Sequence, residues 1–143
     1  MVRGGSDDAQ PLRGSTNPSG NFTHRQAARD LFALLDRLGI QRFKAMGTSS
    51  GGMTLLHMAT QQPNRIEAMV LVGATSYFPE QARAIMRKTS PTTLSAQERE
   101  EMRRCHGRET RIRQLLGQFY RMKDSYDDMN FTAPYLARLA PRL

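Results

Sequence analysis

The segment Gly47-Thr48-Ser49-Ser50-Gly51 sets one hydroxyl between two residues that lack side chains, each two positions away. That spacing suits a serine held on a very sharp turn between a strand and a helix, where its neighbours at two residues' distance must be small. A hydroxyl raised on such a turn can attack an acyl carbon. The backbone N–H of Ser50, at the start of the following helix, is then aimed at the oxyanion that develops. Ser49 is the nucleophile candidate. Ser50 is the weaker one, because only Ser49 has glycine on both sides at the required spacing. Gly47, Gly51 and Gly52 are read as the residues that let the turn close.

The same stretch approaches a second pattern. A phosphate-cradling loop needs G-x-x-x-x-G-K-[ST], and Gly47, Gly52 and Thr54 fall into that frame. Met53 occupies the lysine position, so the main contact to the terminal phosphates is missing and nucleotide binding is set aside. Other reactive types are sparse. His57 lies eight residues after Ser49 and reads as packed or surface; His24 reads as a surface residue in the first turn of a helix. His106 adjoins Cys105, but sequence neighbours seldom present both side chains to one substrate. Asp124, Asp127 and Asp128 read as a solvated turn whose spacing matches no metal loop. Neither a metal nor an organic cofactor is implied.

The elements that must hold Ser49 are legible from periodicity. Thr23-His-Arg-Gln26 is a capping box, and Ala27, Leu31, Leu34, Leu35 and Leu38 follow as an apolar helical stripe ending at Gly39. Ile40 to Met46 alternates as a strand and runs into the turn. A helix over about Gly51 to Gln61 follows, stopped by Pro63. Ala68-Met-Val-Leu-Val72 is a continuous apolar run, the pattern of a strand buried on both faces. Strand, helix and strand make a βαβ unit with parallel strands and a right-handed crossover. From Pro79 the chain is helical, with segments to about Lys88, from the capping box Ser95-Ala-Gln-Glu98 to about Cys105, from Glu109 to Met122, and from Thr132 through Leu139. Leu115, Leu116, Phe119 and Met122 give the third of these an apolar face.

Composition narrows the class. The chain has 143 residues, 38% hydrophobic residues, no Trp and a formal net charge of +8. Its arginines are interleaved with acids, as in Gln97 to Arg104, so they read as a solvated face and no nucleic-acid partner is expected. The apolar run from Ala68 to Ala74 falls far short of the roughly 20 residues that span a bilayer, and the N-terminus has no apolar signal core. No membrane partner is expected. The single cysteine suits a reducing compartment, and a cytoplasmic location is the expectation.

Asn21 to Ser76 closely resembles the serine α/β-hydrolases, in the branch of esterases and peptidase-like enzymes with a helical cap. Phe22 to Asp30 and Leu34 to Ile40 resemble the helix before the nucleophile strand, Met46 to Gly52 the nucleophile turn, and Gln62 to Val72 the helix end and next strand. Arg13 to Ser19 resembles the Gly-rich loop after an earlier strand. The resemblance implies an α/β fold: a partial hydrolase core of parallel strands with flanking helices, plus a helical cap. It divides the chain into a flexible segment 1–21, a partial core 22–76 and a cap region 77–143. It implies a small ester-like or amide-like substrate and an acyl-enzyme on Ser49. Against the family pattern the chain reads as truncated at both ends. An oxyanion loop and several strands would precede it, and the acid and histidine of the triad would follow it. The alternatives are an inactive hydrolase fragment and a binding module whose open sheet edge takes a second chain.

Overall fold

The computed structural model describes residues 20–88, 93–137 and 139. Helix α1 (His24–Arg37) leads to strand β1 (Phe43–Thr48), helix α2 (Ser50–Gln61), a 3-10 turn at Pro63–Arg65 and strand β2 (Ile66–Val72). Four helices follow: α3 (Glu80–Lys88), α4 (Ala96–His106), α5 (Glu109–Arg121) and the short α6 (Ala133–Leu136), with a 3-10 turn at Met122–Asp124 after α5. Nearly every element falls within two or three residues of its sequence expectation. Most of segment 1–21, including Arg13 to Ser19, lies outside the described residues. None of the described helices is long and apolar enough to cross a membrane.

The strands pair in parallel, with Ala45 opposite Met69 and Gly47 opposite Leu71, and a register irregularity between Phe43 and Lys44. Helix α2 is the centre of the molecule. Its residues Gly52 to Ala59 are all buried, as expected of a helix that is apolar nearly all round. One side packs with Ala28 and Phe32 of α1 against Phe43, Ala45, Ile66 and Met69 of the sheet. The other packs Met53 and Leu56 against Phe78, Met122, Met129 and Phe131. Met58 is 1% exposed, and burying a side chain of that size contributes about 1.5–3 kcal/mol.

Three expectations change. Ala68 to Val72 is not buried on both faces: Val70 and Val72 are 55% and 47% exposed, and Met46 beside them 74%. Helices cover one face of a two-stranded sheet, and among the described residues nothing covers the other. In α1 the buried residues are His24, Ala28 and Phe32, whereas Leu31, Leu34 and Leu38 of the anticipated stripe are 40–62% exposed. The helix carries two apolar faces, and only one meets α2. The box at Thr23 is half formed. Thr23 accepts the Gln26 N–H, but the Gln26 amide turns to Asp30. The box at Ser95 is complete, and Gly39 takes the left-handed conformation (φ 71°) that closes α1.

Two anchors bind the later helices to the core. Tyr77 and Asn130 form an antiparallel bridge, and Phe131 N–H donates to the Ser76 carbonyl (2.9 Å). Arg83, 2% exposed, donates from α3 to the carbonyls of Phe78, Lys123 and Ser125 and stacks 3.9 Å from the Tyr126 ring centre. A guanidinium can be buried without a carboxylate partner when its fork of donors is satisfied in this way.

Candidate functional site

Ser49 is the one non-glycine residue among those described with positive φ (50°, ψ −119°). Such a conformation costs about 1–3 kcal/mol and persists only where its surroundings impose it. Here the imposing contacts are identifiable. Ser49 N–H donates to the Val72 carbonyl (2.8 Å), tying the turn to the end of β2. The ladder of α2 begins with Met53 N–H donating to Ser49 O (3.1 Å). Serine at a helix N-cap ordinarily adopts an extended backbone and directs its hydroxyl onto a first-turn N–H. Ser49 does neither: its backbone is not extended, it makes no side-chain cap bond, and it borders a cleft.

The glycines do not share the steric demand as the motif suggests. A Cβ on Gly47 would lie 2.7 Å from the carbonyl of Gly51 and from the N of Gly52. A Cβ on Gly52 would lie 2.7 Å from the Ala74 Cβ and 3.0 Å from the Gly47 carbonyl oxygen. At Gly51 a Cβ would meet nothing within 4 Å. The close approach is between β1 and the second residue of the motif's closing pair, so Gly51, expected to be required small, is not.

Behind the turn lies a buried polar cluster of His24, His57 and Asp128, of which His24 and Asp128 were expected at the surface. His24 is 0% exposed and Asp128 5%. Asp128 Oδ2 accepts from the His24 backbone N–H (2.8 Å) and faces His24 Nδ1 at 2.7 Å, while Oδ1 accepts from Arg25 N–H (3.0 Å). It therefore caps α1 from 104 residues away. On the far side of the ring, His24 Nε2 lies 2.9 Å from Ser50 Oγ. His57, 3% exposed, donates Nε2–H to the Asp128 carbonyl (2.5 Å) and packs against Phe131. Burial pushes the Asp128 carboxyl up, but the hydrogen bonds from the His24 side chain, its backbone and Arg25 outweigh this and hold it below 3.8. Burial is the main influence on His57 and holds it below 6.5, against the opposing pull of Asp128.

Asp128 thus departs from the solvated turn expected of it, while Asp124 and Asp127 are exposed. His24 also departs from its expected surface position. No local pattern signals the pair, and the only hint in the sequence is a histidine directly after an N-cap threonine. Among the described residues no imidazole hydrogen-bonds to the Ser49 hydroxyl; both nitrogens of His24 are engaged elsewhere and His57 turns to Asp128. Cys105 is exposed, and neither it nor His106 lines the cleft. Glu80 pairs with Arg87 along α3. Thr54 directs its hydroxyl to the Ser50 carbonyl (3.0 Å), away from any phosphate or magnesium role.

The cleft measures about 300 Å³ and runs from Ser49 and Ser50 to the later helices. Phe22, Met53 and Phe78 line it, together with Met86 of α3 and Leu115, Gln118 and Phe119 of α5. The α5 face anticipated from Leu115, Leu116, Phe119 and Met122 is divided. Met122 is buried in the core, and Phe119 is 43% exposed over the cleft.

Known proteins are similar to this chain over part of their length. A homoserine O-acetyltransferase of Geotalea daltonii is 46% identical over 55 residues, which is 38% of this chain and 15% of that protein. A 2-hydroxy-6-oxo-6-phenylhexa-2,4-dienoate hydrolase of Comamonas testosteroni is 44% identical over 46 residues, 32% of this chain and 16% of the relative. A carboxylesterase structure from Nitrososphaera gargenis superposes with a TM-score of 0.59 at 16% identity, covering 89% of this chain and 53% of that one. The chain therefore spans a small part of these curated relatives and about half of the solved structure. The alpha/beta hydrolase fold pattern matches residues 4–136, and the chain belongs to that family.

Proposed function

We propose that the protein acts as a serine hydrolase on a carboxylic ester or related acyl bond, with Ser49 as nucleophile. The observation that carries this reading is the backbone of Ser49. A strained serine on a strand-to-helix turn, with its hydroxyl withheld from helix capping and the residue at the lining of an apolar cleft, has a geometry suited to attack. Ser50 N–H, at the first helical position and outside the α2 ladder, is assigned to the oxyanion. Helices α3 to α5 act as a cap. Phe78, Met86 and Phe119 favour a substrate with an apolar acyl or alcohol group. The reaction forms an Oγ–acyl bond as the alcohol leaves, and water then releases the acid. Relatives named as a homoserine O-acetyltransferase and as a hydrolase favour acyl chemistry in general, with water or another hydroxyl as acceptor.

A second reading is favoured by the absence of an imidazole on Ser49 among the described residues: a hydrolase scaffold without turnover, or one completed by a second chain along the open sheet edges. Losing a triad costs on the order of a millionfold in turnover. Treatment of the folded chain with a fluorophosphonate, with the adduct located by tandem mass spectrometry, separates the readings. An adduct on Ser49 supports the nucleophile assignment. A folded chain that never gains one on Ser49 refutes it.

A further inference from the structure

We infer that Ser50, His24 and Asp128 form a second activated-hydroxyl site, distinct from Ser49, able to accept an acyl or phosphonyl group on Ser50 Oγ. The three groups stand in line. Asp128 Oδ2 is 2.7 Å from His24 Nδ1, and His24 Nε2 is 2.9 Å from Ser50 Oγ. An ionised carboxylate can only accept, so in the neutral ring Nδ1 carries the proton and Nε2 presents its lone pair to the Ser50 hydroxyl. That is the order of groups by which a carboxylate orients an imidazole and the imidazole receives a hydroxyl proton.

Burial grades along the line as such chemistry requires. Asp128 and His24 are buried, whereas Ser50 is exposed and borders the same cleft as Ser49. The imidazole is fixed before any ligand arrives, edge-on to the Phe22 ring at 5.1 Å and tilted against Phe78 at 6.3 Å. Helix capping does not account for the arrangement. The two backbone N–H groups of His24 and Arg25 are satisfied by Asp128 directly, and the contact from Nε2 to Ser50 adds nothing to them. A purely structural clamp would use the same contacts but leave Ser50 inert, and that difference is measurable.

With a fluorophosphonate, the Ser50 Oγ–P bond forms as the P–F bond breaks. The hydroxyl proton passes to His24 Nε2, fluoride departs, and Asp128 keeps its negative charge beside the imidazolium. With an ester, the Oγ–C bond forms and the C–O bond to the alcohol breaks, and the leaving oxygen takes the proton from His24 Nε2 and departs as the neutral alcohol. The apolar walls at Phe78 and Phe119 select compact apolar acyl groups.

The test labels the full chain and its Ser49→Ala variant with diisopropyl fluorophosphate, folding being checked by circular dichroism and the adduct assigned between the adjacent serines by fragment ions. The expected result is an adduct on Ser50 that persists in Ser49→Ala and slows at least a hundredfold when His24→Gln is added, the size of a lost general base. Adding Asp128→Asn instead slows it at least tenfold. A folded Ser49→Ala chain that gains no adduct on Ser50, or one whose rate ignores His24→Gln, overturns the inference. Where His24→Gln does not fold, ¹⁵N spectra of the Ser49→Ala chain decide: a proton on His24 Nδ1 with an Nε2 resonance that moves in Ser50→Ala supports the inference, and a proton on Nε2 alone overturns it. An adduct on Ser49 bears only on the nucleophile proposed above, so the two readings fail separately.

Discussion

Replacing each glycine of the turn by alanine should give two signs within six residues. At Gly51 the added methyl enters open space on a helix, where alanine is favoured over glycine by about 0.5–1 kcal/mol, partly through a less disordered unfolded chain. Gly51→Ala should therefore raise stability by that amount, less some fraction for its place in the first turn. At Gly52 the methyl meets the Ala74 Cβ at 2.7 Å and the Gly47 carbonyl oxygen at 3.0 Å. Relief requires β1 or the segment after Gly73 to move away from α2, and overpacking of this kind costs about 1–3 kcal/mol. Gly47→Ala is worse placed, since all three of its nearest atoms are backbone atoms at 2.7 Å. Chemical denaturation of the four chains checks the order, with Gly51→Ala above the parent, then Gly52→Ala, then Gly47→Ala. Adding Ala74→Gly to Gly52→Ala removes the nearer clash and should recover part of the loss, a coupling that a double-mutant cycle reads directly. A Gly51→Ala chain destabilised by more than about 1 kcal/mol would refute the reasoning, because the motif's spacing and not the packing would then set the demand.

Asp128→Ala strands two backbone donors and the His24 imidazole in the interior and should cost about 3–5 kcal/mol in urea unfolding, whereas Asp127→Ala, on the exposed side of the same turn, should fall within about 0.5 kcal/mol of the parent. Equal effects would dismiss the clamp. Arg83→Met should lower stability by about 2–4 kcal/mol through the loss of three carbonyl contacts, and Arg83→Lys should not restore it, since an ammonium cannot span that fork; full recovery with lysine would contradict the account. Acidification should act in two steps. His57 is held below 6.5, so the unfolded chain binds its proton first and stability falls as pH drops from 6.5 through the folded value; Asp128, held below 3.8, contributes stability above 3.8 that is lost as pH falls through its folded value. A urea midpoint that stays flat between about pH 7 and pH 5 in the parent, or a first step that survives His57→Gln, would show that His57 is not the group responsible.

Local signals were legible and distant ones were not. The bounds of α1, α2, α4 and α5 follow from caps and apolar spacing over a few residues, and the turn at Ser49 follows from glycine spacing between a strand and a helix. The Asp128 clamp joins residues 104 positions apart, and nothing near either residue announces the other. Periodicity also says which faces of a helix are apolar without saying which one is covered. Leu31, Leu34 and Leu38 form as good a stripe as Ala28, Phe32 and Leu35, yet α2 meets the second. Likewise, five consecutive apolar residues in β2 mark a strand that two layers suit, and the described residues supply one layer.

The turn at Ser49 is fixed by contacts within residues 43–74: the Ser49 bond to Val72, the Gly47–Gly52 approach and the burial of α2. None of them involves the bare sheet face at Met46, Val70 and Val72. The later helices are anchored separately, by Arg83, by the Tyr77–Asn130 bridge and by Asp128, all of which reach backbone groups. Asp128 is where the two halves meet, since it caps α1 and, through His24, contacts Ser50 at the mouth of the cleft. Covering the apolar sheet face should therefore raise stability while leaving the geometry around Ser49 and Ser50 unchanged. Loosening the Asp128 turn should do the reverse to the cleft, because it frees the later helices from Ser50, the residue adjacent to Ser49.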